Sequence, residues 1–184
     1  LGRVIASEDP RGLRTEMVYD SLDRVVSLTK PSGETLKFGY NEVSALVSFK
    51  DGLDQEIVFE YDDLNRLETI HYPDTTTEEF SYDGVGNLLS YTDNAGQVRT
   101  FSYDDLNRLE TIIYPDTTTV TMSYDEVGNP TSLTERNGDL LAYDYDDLDR
   151  LITVTRTKDM GNSTPEWELH YTYDENGNWL SVSD

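Results

Sequence analysis

A tyrosine recurs at Tyr19, Tyr40, Tyr61, Tyr82, Tyr103, Tyr124 and Tyr145, always 21 residues apart, and again at Tyr173 after a gap of 28. An active site needs one copy of its residues, so a period this regular calls for a repeated structural unit. Other positions keep the same phase. An aspartate follows at Asp20, Asp62, Asp83, Asp104, Asp125, Asp146 and Asp174, and Asn41, with the same turn-forming side-chain geometry, takes that place once. Two residues before each tyrosine stands a bulky apolar group: Met17, Phe38, Phe59, Phe80, Phe101, Met122, Tyr143 and Tyr171. Eight residues after it stands a hydroxyl: Ser27, Ser48, Thr69, Ser90, Thr111, Ser132, Thr153 and Ser181.

The unit reads as two strands and two turns. The first strand ends on the tyrosine, with apolar residues at period two (Phe101, Tyr103) and polar ones between, such as Ser102. A turn of the form Asp-x-x-Gly-Asn or Asp-x-x-Asn-Arg follows, in which the carboxylate accepts backbone N–H groups and Gly or Asn tolerates positive φ. A second strand such as "LETII" closes at "PD", "DNAG" or "RNGD", again turn signals. With strong β-formers and little helical periodicity, the expectation is an all-β chain.

A second order of repetition lies above the first. Residues 61–87 and 103–129 match at 22 of 27 positions, so units alternate between an Asn-Arg and a Gly-Asn turn. Leu1-Gly2-Arg3-Val4 stands in register with Leu22-Asp23-Arg24-Val25. Residues 1–184 therefore read as one array of eight units, the first and last incomplete, with an insertion near 157–166. The array is expected to be a segment of a longer protein.

Composition narrows the function classes. Fourteen basic and thirty-seven acidic side chains leave a formal charge of −23, which repels phosphate backbones and disfavours nucleic acid as a partner. There is no cysteine, hence no disulfide and no thiolate metal site. No apolar run approaches the roughly 18 residues of a membrane-spanning helix. Thirteen tyrosines and five phenylalanines argue for packed structure in spite of the charge.

The motif Tyr-Asp-x-x-Gly/Asn-Arg/Asn-Leu, recurring about every 21 residues with a bulky apolar group two positions upstream, resembles the YD repeat. This is the Rhs repeat of bacterial Rhs and wall-associated polymorphic toxins, of the shell subunits of insecticidal toxin complexes, and of teneurins. The resemblance covers essentially the whole chain. It implies long strands curling into a hollow β-shell that encloses a C-terminal toxin, and a secreted or cell-surface location. Neighbouring repeats, further copies added at strand edges, and a toxin cargo are the partners it implies. Asp9-Pro10-Arg11-Gly12 sits at an upstream turn and is not the terminal self-cleavage motif of such shells, so cleavage is not carried over.

Physical reasoning agrees with a curled strip. Eight units make about sixteen strands, and open twisted sheets seldom exceed about ten without curling, splitting or closing. The positions at and before each tyrosine supply one apolar side, each side chain contributing about 1.5–3 kcal/mol if fully buried. A WD-type propeller has blades near 42 residues, but its signature dipeptide is absent. Leucine-rich repeats need a motif that never recurs here, and choline-binding hairpins need more tryptophan than Trp167 and Trp179.

Candidate sites are few. His71 is replaced by Ile113 in the sister unit and His170 alternates with strand residues, so neither is expected to be catalytic. Asp62-Asp63, Asp104-Asp105 and Asp146-Asp147 lack the ligand density of a calcium loop. Gly84-Val85-Gly86 lacks the strand-to-helix context of a phosphate cradle. Asn162-Ser163-Thr164 fits the glycosylation pattern. No cofactor is expected. A non-enzymatic shell segment is the leading reading, with an adhesive or carbohydrate-binding repeat surface, or a repeat filament, as the alternative.

Overall fold

The computed structural model describes residues 4–158 and 164–184. The leading residues of the Leu1-Gly2-Arg3-Val4 register and most of the Asn162-Ser163-Thr164 pattern lie outside them. The described residues hold seventeen strands and no helix. They are β1 (Ala6–Glu8), β2 (Arg14–Tyr19), β3 (Val25–Thr29), β4 (Thr35–Tyr40), β5 (Leu46–Lys50), β6 (Glu56–Tyr61), β7 (Leu67–His71), β8 (Thr77–Tyr82) and β9 (Leu88–Thr92). Then come β10 (Val98–Tyr103), β11 (Leu109–Ile113), β12 (Thr119–Tyr124), β13 (Pro130–Thr134), β14 (Leu140–Tyr145), β15 (Leu151–Thr157), β16 (Trp167–Tyr173) and β17 (Trp179–Ser183). The eight tyrosine units supply β2 to β17, two strands each. β1 precedes them.

Two compact units divide the chain, residues 1–81 with 91–97 and residues 82–90 with 98–184. In the first, β1 to β8 pair antiparallel, each with the next in sequence. In the second, β10 to β17 do the same.

Apart from the connection between β15 and β16, the hairpins close by one device. After Tyr103, the Asn107 N–H donates to the Asp104 carbonyl and the Asp104 N–H donates to the Arg108 carbonyl, both at 2.9 Å. This is a type I turn followed by one left-handed residue, whose combined twist suits antiparallel strands. The left-handed residue is Asn107, at φ 60°. At the other end of the strands Thr117 takes that conformation at φ 66°, between Tyr114 and Thr118.

A β-bulge accompanies the turns after Tyr19, Tyr40, Tyr61, Tyr103, Tyr124, Tyr145 and Tyr173. Ser102 pairs with Thr111, but Tyr103 pairs with Leu109, so Glu110 is the extra residue. The bulge brings Leu109 and Ile112, three residues apart, onto the face of Tyr103 and Phe101. Strict period two would have put them on opposite faces. The hydroxyl eight residues after each tyrosine lies on the other face, as where Thr172 Oγ1 and Ser181 Oγ approach to 2.8 Å.

The apolar face is shallower than full burial would require. Among the described residues only Val154 and Asp139 are enclosed, at 8% and 6% exposure. Phe101, Tyr103, Leu109, Ile112, Val120, Met122 and Tyr124 are half-buried. Within each unit, strands touch their sequence neighbours, so these side chains are covered from the sides and not from above. Val154 pairs with Tyr143 on one side and Leu169 on the other.

Candidate functional site: a ladder of tyrosine–aspartate turns

The repeated aspartate organises its own turn. Asp104 Oδ1 accepts the backbone N–H groups of Leu106 and Arg108, each at 2.9 Å, and Oδ2 accepts Arg108 Nε at 2.6 Å. Asp20, Asp62 and Asp146 do the same with Arg24, Arg66 and Arg150. In the Gly-Asn turns, Asp83 and Asp125 accept an additional N–H from Gly86 or Gly128, and the amide of Asn87 or Asn129 replaces the guanidinium. Asp174 uses Asn178 similarly. Asn41 keeps the two backbone bonds.

These donors favour the charged carboxylate. The Arg108 backbone N–H, then its guanidinium, hold Asp104 below the ordinary value of 3.8, and Arg66 acts likewise on Asp62. For Asp20 and Asp146 the guanidinium contributes most. At Asp83 and Asp125 burial pushes the carboxyl up, but the Asn side chain and backbone donors together outweigh it, and both are lowered. The Asn178 amide lowers Asp174.

The repeated tyrosine ties one unit to the one before. Its hydroxyl donates to the carbonyl of the residue that opens the second strand of the preceding unit, or, for Tyr19, to Val4 two residues before β1. Tyr19 reaches Val4, Tyr40 Val25, Tyr61 Leu46, Tyr103 Leu88, Tyr124 Leu109 and Tyr145 Pro130, each fifteen residues back and at 2.8 to 3.0 Å. Tyr173 reaches Leu151 at 2.8 Å across 22 residues. The clasp is thus kept across the seven-residue insertion. Phenylalanine would fill the space and lack the donor, which gives a physical reason for tyrosine at this place.

A third set of contacts runs from turn to turn. Arg108 Nη1 donates to the Asp125 carbonyl at 2.9 Å, and its guanidinium lies 4.6 Å from the Tyr124 ring centre. Arg24 repeats this with Asn41 and Tyr40, and Arg150 stacks on Tyr173 at 4.8 Å. Gly-Asn turns pass the contact on differently: Asn87 Nδ2 donates to Asn107 Oδ1 and Asn129 Nδ2 to Asp149 Oδ1. The alternation of turn types is therefore an alternation of forward contacts. Sequence reasoning placed the tyrosines at strand ends and the aspartates in Asn-Arg or Gly-Asn turns, but missed the forward contacts of Arg24, Arg108, Arg150, Asn87 and Asn129. Their fixed place five residues after each tyrosine was the available signal.

The remaining candidates have local partners. His71 Nε2 lies 3.2 Å from Glu60 and His170 Nε2 lies 3.9 Å from Glu168, each on its own strand surface. Among the described residues no cluster of three or more His, Cys, Asp or Glu has metal-binding geometry. No helix there is long and apolar enough to cross a membrane. Asp9 accepts N–H groups from Arg11 and Leu13, as a turn residue does. In chemical terms the ladder is a set of structural clasps.

Known proteins place this geometry. The chain resembles the solved TcdB2-TccC3-Cdc42 structure with a TM-score of 0.71 at 14% identity, over 89% of this chain and 10% of that one. It also resembles TcdB2-TccC3 without its hypervariable C-terminal region, with a TM-score of 0.58 at 15% identity over 97% and 12%. The Tc holotoxin pore of Photorhabdus luminescens gives a TM-score of 0.58 at 16% identity, again over 97% and 12%. The chain thus spans about a tenth of the length of these relatives, and at such identity the likeness is one of fold. No curated protein matches its sequence. The family model described as RHS Repeat matches residues 1–35, 82–119 and 124–159. With that match over more than half its length, the chain belongs to the RHS repeat family.

Proposed function

We propose that this chain is a non-enzymatic structural segment of an Rhs-type β-shell, and that residues 1–184 form one repeat array within a longer protein. The shell would encapsulate or present a toxin domain C-terminal to the repeats, in a secreted or cell-surface protein. The carrying observation is the clasp from each tyrosine hydroxyl to the preceding unit's carbonyl. It uses the repeated polar groups to hold strand to strand, which is what a wall requires and what a catalytic site does not. The likeness in fold to TcdB2-TccC3 supports the reading.

The test is limited proteolysis of the longer protein containing these repeats. The region after the repeats is expected to resist protease in that protein and to be digested when expressed alone. Equal digestion in both forms would refute encapsulation.

A further inference from the structure

The tips of the tyrosine turns carry a feature that the ladder does not use. In the second unit the third residue after Tyr82, Tyr103, Tyr124 and Tyr145 is aliphatic and stands in solvent: Val85 at 73% exposure, Leu106 at 64%, Val127 at 71% and Leu148 at 71%; after Tyr173 it is Asn176, where the row ends. The first unit repeats this with Leu22, Val43 and Leu64, at 61 to 64%. The opposite turns have the same backbone geometry. They put Asp116 and Asn137 at the equivalent place in the second unit, and Arg11, Ser32, Leu53, Asp74 and Ala95 in the first. Folding therefore does not require an aliphatic tip, and such a turn position ordinarily suits small polar residues. Single exposed aliphatic residues are unremarkable on a surface, but a row at one repeat position is a patterned surface.

Charge says what kind of partner fits. Beside the aliphatic tips stand exposed Asp105, Glu126 and Asp147. The cations of that edge are committed: Arg108 and Arg150 are paired with their own aspartates. The edge thus presents aliphatic groups and carboxylates. A second copy of a chain of charge −23 would set carboxylates against carboxylates. A partner with apolar and basic residues would meet both features.

Spacing narrows its form. Successive tips are two strands apart, about 9.6 Å at about 4.8 Å per strand. Helical residues seven apart lie about 10.5 Å apart along the axis and within about 20° of one face. An extended peptide shows one face every ~6.7 Å and loses step after the first tip.

We propose that Val85, Leu106, Val127 and Leu148 form a docking ridge for a basic amphipathic helix. Its apolar stripe lies along the tips, and its lysines or arginines face Asp105, Glu126 and Asp147. Four tips would engage about 22 helical residues, roughly 31 Å of axis.

The test uses the full 184-residue chain and a labelled 22-residue peptide with leucines in a heptad stripe flanked by lysines, followed by fluorescence anisotropy. A scrambled peptide of equal composition is the control. Saturable binding is expected, at least tenfold weaker for the scramble. It should weaken at least tenfold in the variant Leu106→Ser/Val127→Ser/Leu148→Ser, with an unchanged circular dichroism spectrum. If that variant does not fold, Asp105→Lys/Glu126→Lys/Asp147→Lys tests the same edge and should weaken binding equally. Absence of binding, equal binding of the scramble, or binding indifferent to the variants would overturn the proposal. Self-association in sedimentation that the serine variant abolishes would overturn it too, by naming a second copy as the occupant.

Discussion

The hydroxyl of Tyr124 lies 2.9 Å from the carbonyl oxygen of Leu109, fifteen residues earlier. Leu109 opens β11, beside its own unit's tyrosine, Tyr103, in the register. One hydrogen bond therefore joins two successive repeats at their turns. Tyr124→Phe removes the donor and little volume. A loss of about 0.5–1.5 kcal/mol is expected, the net contribution of one such bond. Phe101→Ala should cost more, roughly 1.5–2.5 kcal/mol, about half the value for a fully buried ring because that face is half covered. Urea denaturation of the two variants checks the order. A larger loss for Tyr124→Phe would mean that the clasps outweigh the apolar face.

Arg108 holds Asp104 Oδ2, the Asp125 carbonyl and the Tyr124 ring at once. Lysine keeps the charge but has no planar fork for the three directions. Arg108→Lys should therefore destabilise nearly as much as Arg108→Gln, by about 1 kcal/mol. Full rescue by lysine in a thermal melt would reduce the contact to simple charge pairing.

Thr75 and Thr117 hold φ of 72° and 66° in the turns opposite the ladder. A β-branched residue is strained there, while glycine is not. Thr117→Gly should raise stability by up to about 1 kcal/mol. Gly128→Ala, at φ 103°, should lower it. Midpoints from the same denaturant series decide both.

The ladder aspartates have lowered folded pKa values. A depressed carboxylate stabilises the fold above its unfolded pKa, near 3.8, and loses that contribution as pH falls through the folded value. Melting temperature should therefore hold or rise from pH 7 to about 5, as other carboxylates discharge and repulsion eases, and drop below about pH 4. Asp104→Asn in an otherwise intact chain should flatten part of the acid limb. An acid limb unchanged by that substitution would place the sensitivity elsewhere.

Removing Tyr82 through Ser123, 42 residues, joins Ser81 to Tyr124 in phase, with Leu67 standing where Leu109 stood. The shortened chain should keep a cooperative though weaker β transition. Deleting Thr121 alone should do more harm. It is paired without a bulge on both sides, and its loss turns Met122 and Tyr124 relative to Val120. Deleting Glu110 should be mild, because Glu110 is the bulge residue and its removal leaves regular pairing. Circular dichroism melts of the three deletions test the ranking.

The period, the two-strand unit, the turn positions and the all-β class were legible in the residues themselves. Each depends on interactions within about twenty residues: an aspartate reaching N–H groups two and four positions on, a glycine or asparagine accepting positive φ, and apolar alternation along one strand. Tertiary structure decided the rest. The acceptor of each tyrosine hydroxyl, the bulge at Glu110 that brings Leu109 and Ile112 to one face, and the stacking of Arg108 on Tyr124 follow from which strand lies beside which. The extent of burial was misjudged from sequence for the same reason. Alternation shows which side chains share a face, but the depth of cover depends on neighbours far along the chain, and Phe101 is half-buried.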